Sequence, residues 1–108
     1  MMLEKALKQA IKELRKVKDV LVYLGRKKVD STFHRLNDEE FLVKISHIHK
    51  ETKHFTFDTI KMVNKANNET ISRRKLGHIY ELMKLDEYNL TWNISAKISE
   101  TESYNVIH

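Results

Sequence analysis

The sequence predicts an α+β fold that is mainly helical, with a long amphipathic helix at its N-terminal end and a β-hairpin at its C-terminal end. Three observations lead to this fold class. Apolar residues recur at alternating spacings of four and three over the first 24 residues. Polar capping residues precede apolar residues at helical spacing in the middle of the chain. Apolar and polar residues alternate without interruption over residues 88–99.

The N-terminal helix is predicted over residues 2–24, and Gly25 follows where glycine commonly ends a helix. The spacing is that of the a and d positions of a coiled coil, which predicts a homodimerisation arm over residues 1–28. Packing of the same stripe against the rest of the chain is the alternative. Residues 20–24 are apolar and rich in β-branched side chains, so they also fit a strand. The predicted dimerisation residues, which follow Leu3, are Leu7, Ala10, Leu14, Val17, Leu21 and Leu24.

The middle of the chain predicts three short helices. Asn37 followed by Glu40 resembles a capping box and starts the first helix, over about residues 38–52. The second and third helices begin at the polar positions in 56–58 and 70–72. An Asn-Asn pair at residues 67–68 predicts a tight turn between them, because Asn tolerates the left-handed backbone conformation.

The C-terminal hairpin is predicted from the alternation over residues 88–99, which places the apolar side chains on one face of a strand. Trp92 belongs to the apolar set with Leu90 and Ile94, so we expect all three to face the core. Residues 99–103 are polar and predict the connecting loop. The aromatic and β-branched residues within 104–108 predict the returning strand.

The composition limits what the chain can do. It has 108 residues, a net charge of +5 and no cysteine, which excludes disulfides, thiolate metal sites and cysteine nucleophiles. It has no apolar run long enough to span a membrane and no secretory signal, so we expect a cytoplasmic protein that contacts no membrane. With two glycines and no recognisable nucleophile or paired-carboxylate motif, we expect no enzyme, no cofactor and no small-molecule substrate.

One group of side chains has the spacing of a metal site. On a helix, His47, Glu51 and His54 would lie on one face and could share a zinc ion. Because no further ligand accompanies them, we expect surface residues and no bound metal.

Taken in order, residues 38–108 predict helix, helix, tight turn, helix, strand, loop and strand, and this order resembles the winged helix-turn-helix superfamily of nucleic-acid-binding domains. The resemblance implies a winged-helix domain over residues 37–108, with residues 70–83 as the recognition helix. The loop between the strands departs from the family because Glu100 and Glu102 make it acidic, and the turn lacks the family's usual glycine.

This resemblance implies a sequence-specific duplex DNA-binding protein, a small transcriptional regulator acting as a homodimer. Residues 1–35 hold ten Lys and Arg against four Asp and Glu, an excess that also suits a nucleic-acid binder. The alternative is a protein-interaction module that uses the heptad helix or the hairpin face; RNA binding is a third possibility. The predicted DNA-binding residues are Thr70, Ser72, Arg73, Arg74, Lys75, His78 and Lys97.

Overall fold

The computed structural model describes residues 2–97 and 99–108, and within them the chain forms one N-terminal helix followed by eight strands. One sheet, sheet A, has the strand order β2-β1-β5-β6, and the other, sheet B, has the order β3-β4-β7-β8. All neighbouring strands are antiparallel. The elements are α1 (Met2–Lys16), β1 (Val20–Leu24), β2 (Lys27–Val29), β3 (Thr32–Asn37), β4 (Glu40–Ile48), β5 (Phe55–Asn64), β6 (Thr70–Leu82), β7 (Glu87–Ser95) and β8 (Ser99–Ile107).

The chain builds this β-sandwich from four consecutive hairpins that alternate between the sheets. The β1–β2 hairpin turns at Gly25, which has a positive φ of 61°. A Cβ atom there would lie 3.2 Å from the Cβ of Phe57, so both backbone conformation and space favour glycine. The β5–β6 turn contains Asn68 at φ 61°, which bears out the tight turn predicted from the Asn-Asn pair.

A common core lies between the two sheets and contains the inward side chains of both. Val22, Ile60 and Met62 of sheet A are fully buried, as are Phe41 and Trp92 of sheet B. The ring of Phe57 meets the ring of Tyr88 edge-on across the two sheets, with centroids 5.0 Å apart. Burial of the apolar face of each sheet against the other is the main stabilising contribution in such a sandwich.

The prediction of a mainly helical winged-helix domain is wrong. The segments predicted as three helices are strands β4, β5 and β6, and the predicted recognition helix is the edge strand β6 of sheet A. In β4, buried Phe41, Val43 and Ile45 alternate with outward Leu42 and Lys44, which is the period of a strand. Some outward positions are also apolar, and this produced the helical spacing in the sequence.

The predicted C-terminal hairpin is present, with different bounds. Trp92, Leu90 and Ile94 are buried, as expected from the alternation. The strand β7 ends at Ser95, and the turn falls at residues 96–97, so the polar residues 99–103 belong to strand β8. Ile98, which the alternation included, lies outside the described residues.

The predicted coiled-coil helix is also wrong, because α1 ends at Lys16 and the rest of the heptad pattern enters strand β1. Leu14, Val17 and Leu24 are buried in the chain's own core. Leu21 lies in β1 and is half-buried on its outward side, while Leu7 and Ala10 are half-buried on α1; the side chain of Leu3 lies outside the described residues. Homodimerisation through the remaining positions stays a prediction.

The end of α1 is fixed to sheet B by one side chain. The guanidinium of Arg35 in β3 donates hydrogen bonds to the carbonyl oxygens of Leu14, at 2.8 Å, and Val17. A cation at this position satisfies carbonyls at the end of the helix and interacts favourably with the helix dipole. Among the described residues, no helix has the length and hydropathy needed to cross a membrane.

Candidate functional site

The outward face of sheet A carries a row of side chains that crosses all four of its strands. Lys28 lies opposite Tyr23, Tyr23 lies opposite Lys61, and Lys61 lies opposite Arg73. Lys75, two residues beyond Arg73 on β6, belongs to the same face. With strands about 4.8 Å apart, the row spans roughly 14 Å. We call Lys28, Lys61, Arg73, Lys75 and Tyr23 together the basic face.

Strand alternation places these residues on the basic face. Lys61 lies between Ile60 and Met62, both of which are fully buried, so its own side chain points away from the core. Tyr23 likewise lies between two fully buried residues of β1. Neither residue could be assigned to this face from the sequence, because the pairing register of strands that are distant in sequence is not visible there.

The four cationic side chains of the basic face lie close enough to repel one another. Lys61 and Arg73 are directly opposite each other on neighbouring strands, a placement that destabilises a sheet. Among the described residues, none of Lys28, Lys61, Arg73 and Lys75 takes part in an ion pair. The ammonium of Lys61 lies 4.7 Å from the centre of the Tyr23 ring, a cation–π contact that accommodates one of the four charges. A bound anion would relieve the remaining repulsion.

Arg74, the middle residue of the predicted basic cluster, points the other way. Its guanidinium lies 3.1 Å from Glu100 and 3.8 Å from Glu102, both on the inward side of β8. Glu100 also accepts hydrogen bonds from the indole of Trp92, at 2.7 Å, and from the hydroxyl of Ser72. The contacts of Arg74 and Ser72 with β8 join the edge strands of the two sheets, and they give the two glutamates of the predicted loop a structural role.

The structure therefore separates the predicted DNA-binding residues. Arg73 and Lys75 share the basic face, whereas Arg74 and Ser72 contact β8. Three more lie elsewhere on the surface: Thr70 is exposed at the start of β6, His78 is exposed with its ring centre 4.2 Å from that of Tyr80, and Lys97 is exposed in the β7–β8 turn.

The three residues considered as metal ligands, His47, Glu51 and His54, do not form a cluster in the structure. His47 is half-buried in β4, and His54 contacts Glu81 of β6 at 2.6 Å. Burial and, secondly, the charge of Lys27 lower the pKa of His47 below its usual value, which favours the neutral ring. Within the described part of the chain, no three His, Asp or Glu side chains are placed to hold a metal ion.

Comparisons with protein-family models, with curated proteins and with solved structures found no significant match to this chain.

Proposed function

We propose that this protein binds nucleic acid, and that the basic face of sheet A contacts the phosphate backbone. The observation that carries the proposal is the row of Lys28, Lys61 and Arg73 across neighbouring strands, extended by Lys75, with no ion pair to any of them among the described residues. Lysine and arginine side chains are the usual phosphate ligands of nucleic-acid-binding proteins.

The geometry favours contact with the backbone over reading of base sequence. The predicted recognition helix is strand β6, and the basic face belongs to a four-stranded sheet, which is wider than the two-stranded ribbon that the major groove admits. Tyr23 lies among the cations, and an aromatic ring in a basic surface is typical of sites that stack the bases of single strands. Binding should therefore show strong salt dependence and weak sequence preference. A cytoplasmic location, where nucleic acid is accessible, is part of the proposal.

Fluorescence anisotropy with labelled single-stranded and duplex oligonucleotides tests the proposal. We expect the parent to bind at about 50 mM salt and to lose affinity steeply towards about 200 mM. In Arg73→Ala/Lys75→Ala, loss of two phosphate contacts should weaken binding and reduce the slope of log K against log salt by about two units for duplex. Comparison of the two oligonucleotides decides between single strands and duplex.

The matched control removes the same charge elsewhere. Lys8 and Lys12 are exposed on α1, so Lys8→Ala/Lys12→Ala should leave the slope close to that of the parent. The proposal fails if the parent binds neither oligonucleotide at low salt, or if both double variants change binding equally. A protein-interaction module, the alternative from the sequence, would then be the better explanation.

A further inference from the structure

Strand β8 forms a long and regular edge of sheet B. It pairs with β7 in one continuous register, from Ser99 opposite Ser95 to Ile107 opposite Glu87. Among the described residues, no backbone hydrogen bond links β8 to any strand other than β7. The N–H and C=O groups along its other side are therefore available to pair with a further strand.

The three other edge strands of the described sheets carry features that discourage such pairing. β2 has only three residues, two of which are lysines. β3 has an irregular register between Arg35 and Asn37. β6 contains the basic run at residues 73–75 and two register shifts against β5. Short length, bulges and positive charge keep natural sheet edges from pairing, whereas β8 has nine residues, a continuous register and neither lysine nor arginine.

Two glutamates on the inward side of β8 restrict which strand can pair with it. Glu100 and Glu102 lie 3.1 and 3.8 Å from the guanidinium of Arg74, but one cation balances only part of two negative charges. Charges that point inward from an edge strand disfavour pairing with a strand of like charge. A partner strand must therefore place neutral or cationic side chains opposite both glutamates.

A second copy of β8 meets this requirement when the two copies run antiparallel about a two-fold axis at Ser103. Because Ser103 is the middle residue of β8, this register pairs the whole strand with its copy. Glu102 then lies opposite Tyr104, and Glu100 lies opposite Val106. Centring the pair on Glu102 instead would put two carboxylates directly opposite each other, which is unfavourable. Charge and strand length therefore favour the same register.

We infer that the protein forms a homodimer in which β8 pairs with β8 of a second copy about this axis. On the outward side, exposed Thr101 lies opposite Asn105, and Ser103 lies opposite its own copy, so hydroxyl and amide groups meet. The new ladder adds about eight to ten backbone hydrogen bonds. Pairing the same surface of both copies is the usual arrangement of homodimers.

The dimer extends sheet B from four strands to eight. Residues directly opposite each other in an antiparallel pair point to the same face of the sheet, so both copies of sheet A lie on the same side of the extended sheet. The two basic faces then point in the same direction. This contact differs from the dimer predicted along α1, and it goes beyond nucleic-acid binding.

Disulfide cross-linking tests the register of the dimer, because the chain contains no cysteine of its own. In Ser103→Cys, the two new thiols lie opposite each other with Cα atoms about 4.5–5.5 Å apart, a distance that a disulfide spans. Mild oxidation at tens of micromolar should therefore give a covalent dimer on a non-reducing gel. The matched control is Asn105→Cys on the same exposed face, whose Cα atoms lie about 14 Å apart across the axis, so it should stay largely uncross-linked.

Size-exclusion chromatography with light scattering measures the assembly of the unmodified protein. We expect the parent to be a dimer at tens of micromolar. Ser103→Lys should be a folded monomer by circular dichroism, because two ammonium groups would face each other across the axis. The matched control is His34→Lys, since His34 is exposed on β3 at the opposite edge of sheet B, and this variant should remain a dimer.

The inference is overturned if the parent is a monomer, or if Ser103→Cys cross-links no more readily than Asn105→Cys. A dimer that persists in Ser103→Lys would overturn it in favour of contact through α1. Oligonucleotide binding is decided separately, since Arg73→Ala/Lys75→Ala should remain a dimer and Ser103→Lys should still bind oligonucleotides. A parent that dimerises through β8 but binds no oligonucleotide would refute the proposed function alone.

Discussion

Arg73 and Arg74 are adjacent in sequence but should have different effects when replaced by alanine. Arg73 points to solvent from the basic face, whereas Arg74 bridges β6 to Glu100 and Glu102 of β8. We predict that Arg74→Ala destabilises the fold and that Arg73→Ala weakens nucleic-acid binding with little effect on stability. On the predicted recognition helix, both residues would have been expected to contact DNA.

The expected loss of stability in Arg74→Ala follows from the surroundings of the Arg74 side chain. A hydrogen bond to a charged group contributes about 1.5–3 kcal/mol, but the Arg74 side chain is 40 % exposed, so water weakens the interaction. Glu100 keeps its hydrogen bonds from Trp92 and Ser72, which lessens the loss. We therefore expect Arg74→Ala to lower the free energy of unfolding by about 1–2 kcal/mol. Arg73→Ala should change it by less than about 0.5 kcal/mol, towards higher stability, because it removes the repulsion with Lys61.

Urea titration followed by circular dichroism measures the free energy of unfolding of both variants. Thermal unfolding provides an independent measurement through the melting temperature. A loss of 1–2 kcal/mol corresponds to a melting temperature lower by roughly 4–10 °C in a domain of this size. Arg74→Lys keeps the charge and should recover part of the loss. Equal destabilisation by Arg73→Ala and Arg74→Ala would refute the assignment of the two residues to opposite faces.

Three further predictions concern the core, α1 and the turn before β7. Trp92→Ala should lower the free energy of unfolding in urea by about 3–5 kcal/mol, because it empties a fully buried site. Leu14→Asp should unfold the chain by circular dichroism instead of giving a folded monomer by light scattering, since Leu14 lies in the core. The N–H of Met83 and the His108 ring lower the pKa of Asp86 below its usual value, so stability should fall as the solution is acidified below about pH 4; Asp86→Asn should reduce this dependence.

The alternation over residues 88–99 is long and uninterrupted, so it predicted that β7 exists and which of its faces is buried, but it placed the end of the strand beyond Ser95. The helical prediction was wrong over β6 and the turn after it, where Leu76, Ile79, Tyr80 and Met83 have the spacing of a helix. Ile79 is 69 % exposed and Met83 is 50 % exposed, so half of that pattern does not face the core. Polar inward residues of β6 pair with glutamates of β8, a contact between separate sheets that periodicity along one segment cannot reveal.

The candidate site was predictable only in part, for a related reason. Arg73 and Lys75 stood out because they lie in a dense run of basic residues. Lys28, Tyr23 and Lys61 join them through the pairing of strands that are distant in sequence, and that register depends on the whole fold.

An NMR titration of isotope-labelled protein with an unlabelled oligonucleotide would show directly which surface of the protein binds nucleic acid. If the basic face binds the phosphate backbone, the amide signals of Tyr23, Lys28, Lys61 and Arg73 should shift together, and added salt should reverse the shifts. The turn at residues 83–86 should remain unchanged in the same titration. Shifts that leave these four amides unaffected, or that cluster on α1, would show that nucleic acid does not bind at the basic face.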